Sequence, residues 1–186
     1  MSRAVPILYA SNTGHSAQCA EATAAKAREL GLDLEPHLAE MRAYDPASLP
    51  QEKEVLFVTS TWGRGEPPSG AMPLWRALRD MEPGSLEGVR YAVLALGDTR
   101  FPKFCQFGRD LDARLQELGA TPMGSRVECD RHFEKGLAKW LDRLPAFFQP
   151  PRSRFEELKG LFAGITRQPG PAHEPLTLGT DRDAAR

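Results

Sequence analysis

Apolar positions along the chain follow two alternating rhythms. Short unbroken apolar runs, each stopped by small polar or turn residues, alternate with stretches in which apolar residues recur every three or four positions. Residues 5–10 are the first run, and Pro6 suits a strand there because it lies at the strand's start. Residues 54–61 and 90–96 are strongly apolar in the middle, and residues 32–37 and 122–128 supply a second and a fifth strand. Between them the spacing predicts helices. Residues 15–30 are rich in alanine, carry Glu21, Lys26 and Arg28, and stop at Gly31. Residues 71–81 place Trp75 and Leu78 three apart. Residues 104–118 space Phe107, Leu111 and Leu115 by four, and residues 132–148 set Phe133, Leu137, Trp140 and Leu144 on one stripe.

Strands alternating with helices predict an α/β domain built on a parallel sheet covered on both faces. Five such units end near Phe148, so residues 1–148 are expected to form one domain. The run Gln149-Pro150-Pro151-Arg152-Ser153 reads as its boundary. Residues 149–186 read as a Pro-rich linker or tail, with one short helix over 156–165.

Composition narrows the function. The chain has 186 residues, 41% hydrophobic and 26% charged, which suits a globular protein. A formal charge of −1 gives no electrostatic footprint for nucleic acid. No apolar run reaches membrane-spanning length, and the N-terminus lacks the pattern of a signal segment. Three scattered cysteines, Cys19, Cys105 and Cys129, form neither a disulfide framework nor a CxxC pair. They read as buried inert thiols in a reducing cytoplasm. The four histidines form no ligand-spaced set, so no metal is expected.

In an open parallel sheet the ligand crevice lies outside the carboxyl ends of the strands. The first such loop is Ser11-Asn12-Thr13-Gly14-His15-Ser16. Its hydroxyl and amide side chains, a glycine for the tight turn and the free N–H groups of the next helix together suit a phosphate. An ordinary helix cap has the same composition. The loop is no P-loop, since no lysine follows Gly14, and it lacks the glycines of a dinucleotide fingerprint. The loops after the third and fourth strands each bring one large aromatic, Trp62 and Phe101, to the same edge. Two rings can sandwich a flat system. The expected ligand is a flat heterocycle carrying one phosphate.

Three segments, "SNTGHS", "STWGRGEPP" and "LALGDTRFPKFCQFGRDLDARLQELGA", resemble the three flavin mononucleotide (FMN) loops of flavodoxin-like domains. The last is especially similar to the FMN domain of sulfite reductase flavoproteins and other diflavin reductases. The resemblance runs from Val5 to about Phe148. It implies a three-layer sandwich with a five-stranded parallel sheet in the order 2-1-3-4-5 and FMN at the switch point, the arrangement for which flavodoxin is itself the standard example. It further implies that Ser11, Asn12, Thr13, Gly14, His15 and Ser16 hold the phosphate. Trp62 and Phe101 then flank the ring, and Thr61, Gly63, Leu96, Gly97, Asp98 and Phe104 line the site. The candidate set also takes in Arg64, Gly65, Cys105 and Asp130. Three positions depart from the pattern: Phe101 stands where many relatives have tyrosine, Arg64 where they have an acidic residue, and His15 is unusual in a phosphate loop.

The implied function is electron transfer through non-covalently bound FMN, by a stand-alone carrier or by the FMN module of a diflavin or multi-subunit reductase. Implied partners are transient: a nicotinamide-dependent flavin reductase as donor and a haem or metal enzyme as acceptor. A small FMN-dependent quinone reductase and a flavin-free interaction module of the same fold are the alternatives. A response-regulator-like domain would need an aspartate at the end of the third strand, where Thr59, Ser60 and Thr61 stand.

Overall fold

The computed structural model describes residues 3–31 and 34–149. The expected linker and short helix beyond Gln149, and the expected start of the second strand at Leu32, lie outside the described residues. Strands β1 (Arg3–Ala10), β2 (Leu34–Glu40), β3 (Glu54–Ser60), β4 (Arg90–Leu96), β5 (Thr121–Pro122) and β6 (Val127–Cys129) form one parallel sheet. Its order is β2-β1-β3-β4-β5, with β6 also pairing β4. The helices are α1 (His15–Glu29), α2 (Met72–Asp80), α3 (Gln106–Glu117) and α4 (Glu134–Phe147).

Strand periodicity sorts the apolar side chains to two faces. Leu8, Phe57, Tyr91 and Val93 pack with Leu74 and Leu78 of α2 and Phe107, Leu111 and Leu115 of α3. Ile7, Leu56, Val58 and Leu94 pack with Cys19, Ala20 and Ala24 of α1 and Trp140 and Leu144 of α4. Both faces of β3 and β4 are therefore buried, which is why these strands read as continuous apolar runs. Arg90 binds the buried Glu54 carboxylate at 2.7 Å and the Phe147 carbonyl at 2.9 Å, tying the last turn of α4 to the strand starts.

The fifth strand differs from the expected continuous run over 122–128. It is two short pieces joined by a bulge. Tyr91 of β4 opposes Pro122, and Leu94 opposes Val127, so the outer chain advances five residues while β4 advances three. The extra residues have their own interactions. Arg126 pairs with Asp112 of α3 and with Glu128, and Arg143 of α4 bonds the Ser125 carbonyl at 3.2 Å. Edge position makes such a break tolerable. A 3-10 turn over Pro46–Gln51 precedes β3, capped by Asp45, whose carboxylate accepts the Ala47 amide at 3.0 Å. Among the described residues no helix is long and apolar enough to cross a membrane.

Candidate FMN site

The loops that follow β1, β3, β4 and β6 enclose a cleft of about 490 Å³. Thirteen of the expected residues line it: Asn12, Thr13 and His15 from the first loop, Thr61, Trp62 and Gly63 from the second, Leu96, Gly97, Asp98, Phe101, Phe104 and Cys105 from the third, and Asp130 after β6. Ser11, Gly14, Ser16, Arg64 and Gly65 are not among the lining residues. Ser60, Lys103, Arg131 and Phe133 line the cleft without having been singled out from the sequence.

The first loop turns sharply into α1. Gly14, at φ 87°, turns the chain into α1 and brings no side chain to cap it. Ser11 sits beneath the turn, where its hydroxyl oxygen accepts the Gly14 amide at 2.9 Å and the Ser16 amide at 3.4 Å. The first turn of α1 holds no acidic residue. Ser16 is fully buried, and its hydroxyl has no partner among the described residues. His15 is exposed and rests against Phe133, with ring centroids 5.2 Å apart.

The second loop brings Trp62 to the cleft. Thr61 bonds the Leu96 carbonyl through its amide, and its hydroxyl oxygen accepts the Phe107 amide at 3.1 Å, so this side chain serves the start of α3.

The third loop folds back against its own first residue, Gly97. A Cβ on Gly97 would stand 2.7 Å from the Cys105 amide nitrogen, so only glycine fits. Cys105 itself takes a left-handed conformation, at φ 52°. Asp98 is bound at both oxygens by Arg100, which holds its carboxyl down at about 2. Asp130 accepts the amide and hydroxyl of Thr99, and those bonds hold it below the usual range. It anchors the third loop and lines the cleft as well. Burial pushes the Cys105 thiol up to about 12 and that of Cys129 to about 11, so neither ionises at neutral pH.

Trp62 and Phe101 are the large apolar side chains that the described residues leave exposed, at 54% and 57%. Both line the same cleft. Two exposed rings lining one cleft suit a ligand or partner surface.

The flavodoxin family model matches residues 7–140. The chain belongs to the flavodoxin family. Members bind FMN and use it to transfer electrons, and this chain is an FMN-dependent electron-transfer module of that kind. It is 42% identical over 136 residues to the sulfite reductase (NADPH) flavoprotein alpha-component of a Shewanella species, and 35% identical over 142 residues to that of Bacillus subtilis. These matches cover 73% and 76% of this chain but only 22% and 23% of the relatives, so the chain spans under a quarter of their length. Among solved structures, a Streptococcus pneumonia flavodoxin superposes with a TM-score of 0.65 at 27% identity, covering 77% of this chain and 98% of that one. Flavodoxin 1 of Bacillus cereus gives 0.66 at 22% identity, covering 77% and 96%.

This flavodoxin-family cleft fits FMN on three counts of its own. Its volume lies in the range of small-ligand pockets. The Ser16 hydroxyl, buried at the start of α1, has no partner among the described residues. Two exposed rings, Trp62 and Phe101, line the cleft. Among the described residues no group of histidine, cysteine and acidic side chains is placed to hold a metal ion.

Proposed function

We propose that the phosphate of FMN sits on the 11–16 loop and its ring lies between Trp62 and Phe101. The observation that carries this reading is the pair of exposed rings on two loops of one cleft whose third wall is the glycine-turned start of α1, with no acidic residue in its first turn. Backbone amides and the α1 dipole attract the phosphate without a cation. Asp130 and Thr99 fix the loop that carries Phe101. Bound FMN supplies the one- and two-electron chemistry. The protein's part is to hold the ring with one edge open, and no acid–base pair is required of it.

The greater identity to sulfite reductase flavoproteins than to a stand-alone flavodoxin favours the FMN module of a diflavin or multi-subunit reductase. We take residues 1–148 as the FMN domain and residues 149–186 as the linker or tail, and place the protein in the cytoplasm. The donor is then a nicotinamide-dependent flavin reductase and the acceptor a haem or metal enzyme, each docking transiently at the Trp62–Phe101 edge. Titration of the apoprotein with FMN and riboflavin, followed by stopped-flow reduction with a nicotinamide-dependent flavin reductase, tests the reading. Stoichiometric FMN uptake and reduction only when the reductase is present are expected. Turnover with the nicotinamide donor alone would favour the quinone-reductase alternative, and refusal of both ligands the flavin-free module.

A further inference from the structure

We propose that Glu66 is a positioning residue for the flavin ring: its carboxylate sets the orientation of the peptide between Gly63 and Arg64, at the wall of the cleft. The inference rests on the FMN reading above and adds to it a residue that does not itself line the cleft.

The turn Trp62-Gly63-Arg64-Gly65-Glu66 is closed by a single antiparallel bridge. The Trp62 amide reaches the Glu66 carbonyl at 2.9 Å, and the Glu66 amide returns to the Trp62 carbonyl at 2.9 Å. Inside that bridge Gly63 and Gly65 both have positive φ, at 52° and 109°. Two glycines in so short a turn leave the backbone with many accessible states. The Gly65 amide bonds the Trp62 carbonyl at 3.0 Å, and two further contacts limit them. Gly65 leans on the side chains of Lys103 and Gln106, which lie 3.2 Å from where its Cβ would be. At the apex, the Glu66 carboxylate accepts the Arg64 amide.

That second bond determines a direction. In a trans peptide the N–H and C=O point opposite ways. With the Arg64 N–H held on Glu66, the Gly63 carbonyl must face away from the carboxylate. Gly63 lines the cleft, so the polar group shown to a flat ring at this wall is chosen by Glu66. The carboxylate also lies over Gly63: a Cβ there would be 2.5 Å from its Oε2. A bond from an amide to an ionised carboxylate is stronger than a neutral one. Glu66 is exposed and makes no ion pair with any described residue, so this bond is its evident work. The turn thus meets the ring already shaped, and binding pays less to order it.

Amide hydrogen exchange at Arg64, read beside FMN and riboflavin titrations, tests the proposal. In Glu66→Ala the Arg64 amide should exchange roughly tenfold faster in the apoprotein, and affinity for FMN and riboflavin should fall by a common factor of roughly ten. Glu66→Gln keeps an acceptor oxygen and should restore most of both. Gly63→Ala should lose less affinity in the Glu66→Ala background than in the wild type, because the added methyl no longer meets the carboxylate. Unchanged Arg64 exchange in Glu66→Ala overturns the tether. Faster exchange with unchanged affinity, or a loss confined to FMN, overturns the positioning role. Wild-type protein that takes up neither ligand overturns the FMN reading itself, and the exchange measurement still reports on the tether by itself.

Discussion

Asp130, the first residue past β6, holds Thr99 by both its amide and its hydroxyl, at 2.9 and 2.8 Å. The bond joins the end of one strand to the loop that leaves its neighbour, and that loop carries Phe101. Asp130→Ala should therefore loosen the third loop and weaken FMN and riboflavin alike, since the ring side is affected and the phosphate side is not. Thr99→Val removes only the hydroxyl bond and should do less. Paired titrations check the order; a loss for FMN alone would place Asp130 near the phosphate instead.

The same loop should respond to acid. Arg100 holds the Asp98 carboxyl at about 2, below its ordinary value of 3.8. A depressed carboxyl contributes stability above its unfolded value, and that contribution is lost as pH falls through the folded one. The Asp98–Arg100 contribution should thus be intact above about pH 4 and fade toward about pH 2. Riboflavin, which has no phosphate to titrate, is the probe to use. Asp98→Asn should show a flatter affinity profile below pH 4 than the wild type.

Trp62→Ala and Phe101→Ala should each weaken FMN and riboflavin by about 1 kcal/mol or more, from the lost stacking face. Neither should lower the melting temperature of the apoprotein appreciably, because both rings are more than half exposed there. Phe101→Tyr keeps the ring and should bind at least as well. Unchanged affinity in Trp62→Ala would remove that ring from the site.

The joint between α1 and α4 runs through one hydroxyl. Trp140 Nε1 donates to Thr23 Oγ1 at 2.9 Å, and that hydroxyl donates to the Cys19 carbonyl at 2.7 Å, all of it buried. Thr23→Val keeps the volume and leaves the indole N–H unpaired, at a cost of about 1–3 kcal/mol. Denaturant midpoints should show the loss. FMN affinity should stay within error, since the pair lies away from the cleft.

Much of this architecture is legible in the sequence because both faces of the central strands are covered. A strand such as β4 must then be apolar throughout, and the place where the run stops marks the ligand edge. The edge of the sheet obeys a weaker rule. Pro122 and Val127 read as one strand, but nothing in the apolar pattern reveals that Arg126 and Ser125 are drawn off by α3 and α4. Within the site the missed residues divide the same way. Arg131 and Lys103 follow directly from the strand-end rule, being next to Asp130 and Phe101's loop neighbour Phe104. Phe133 does not. Helical spacing puts it on the core stripe with Leu137 and Trp140, and it does pack against that core, but it stands one residue before α4 and also lines the cleft beside His15. Periodicity reports the face on which a side chain packs and not a second surface that the same side chain borders.

Ser16 should give two effects of opposite sign. Its hydroxyl is fully buried at the start of α1 and has no partner among the described residues. An unpaired buried hydroxyl costs stability, about 1–3 kcal/mol. Ser16→Ala removes that cost with almost no change in volume, so the apoprotein should melt at a higher temperature than the wild type. A phosphate on the 11–16 loop would accept the same hydroxyl as a charge-assisted bond. The variant should therefore bind FMN less tightly, by about 1.5–3 kcal/mol, while its affinity for riboflavin stays the same. Thr13→Ala should share the selective loss for FMN without the gain in stability, because Thr13 is exposed in the apoprotein. Calorimetric melting with paired titrations reads both quantities on one sample. A Ser16→Ala protein that is stabilised yet binds FMN normally would mean that the phosphate does not reach this hydroxyl. One that is destabilised would mean that the hydroxyl already has a partner in solution.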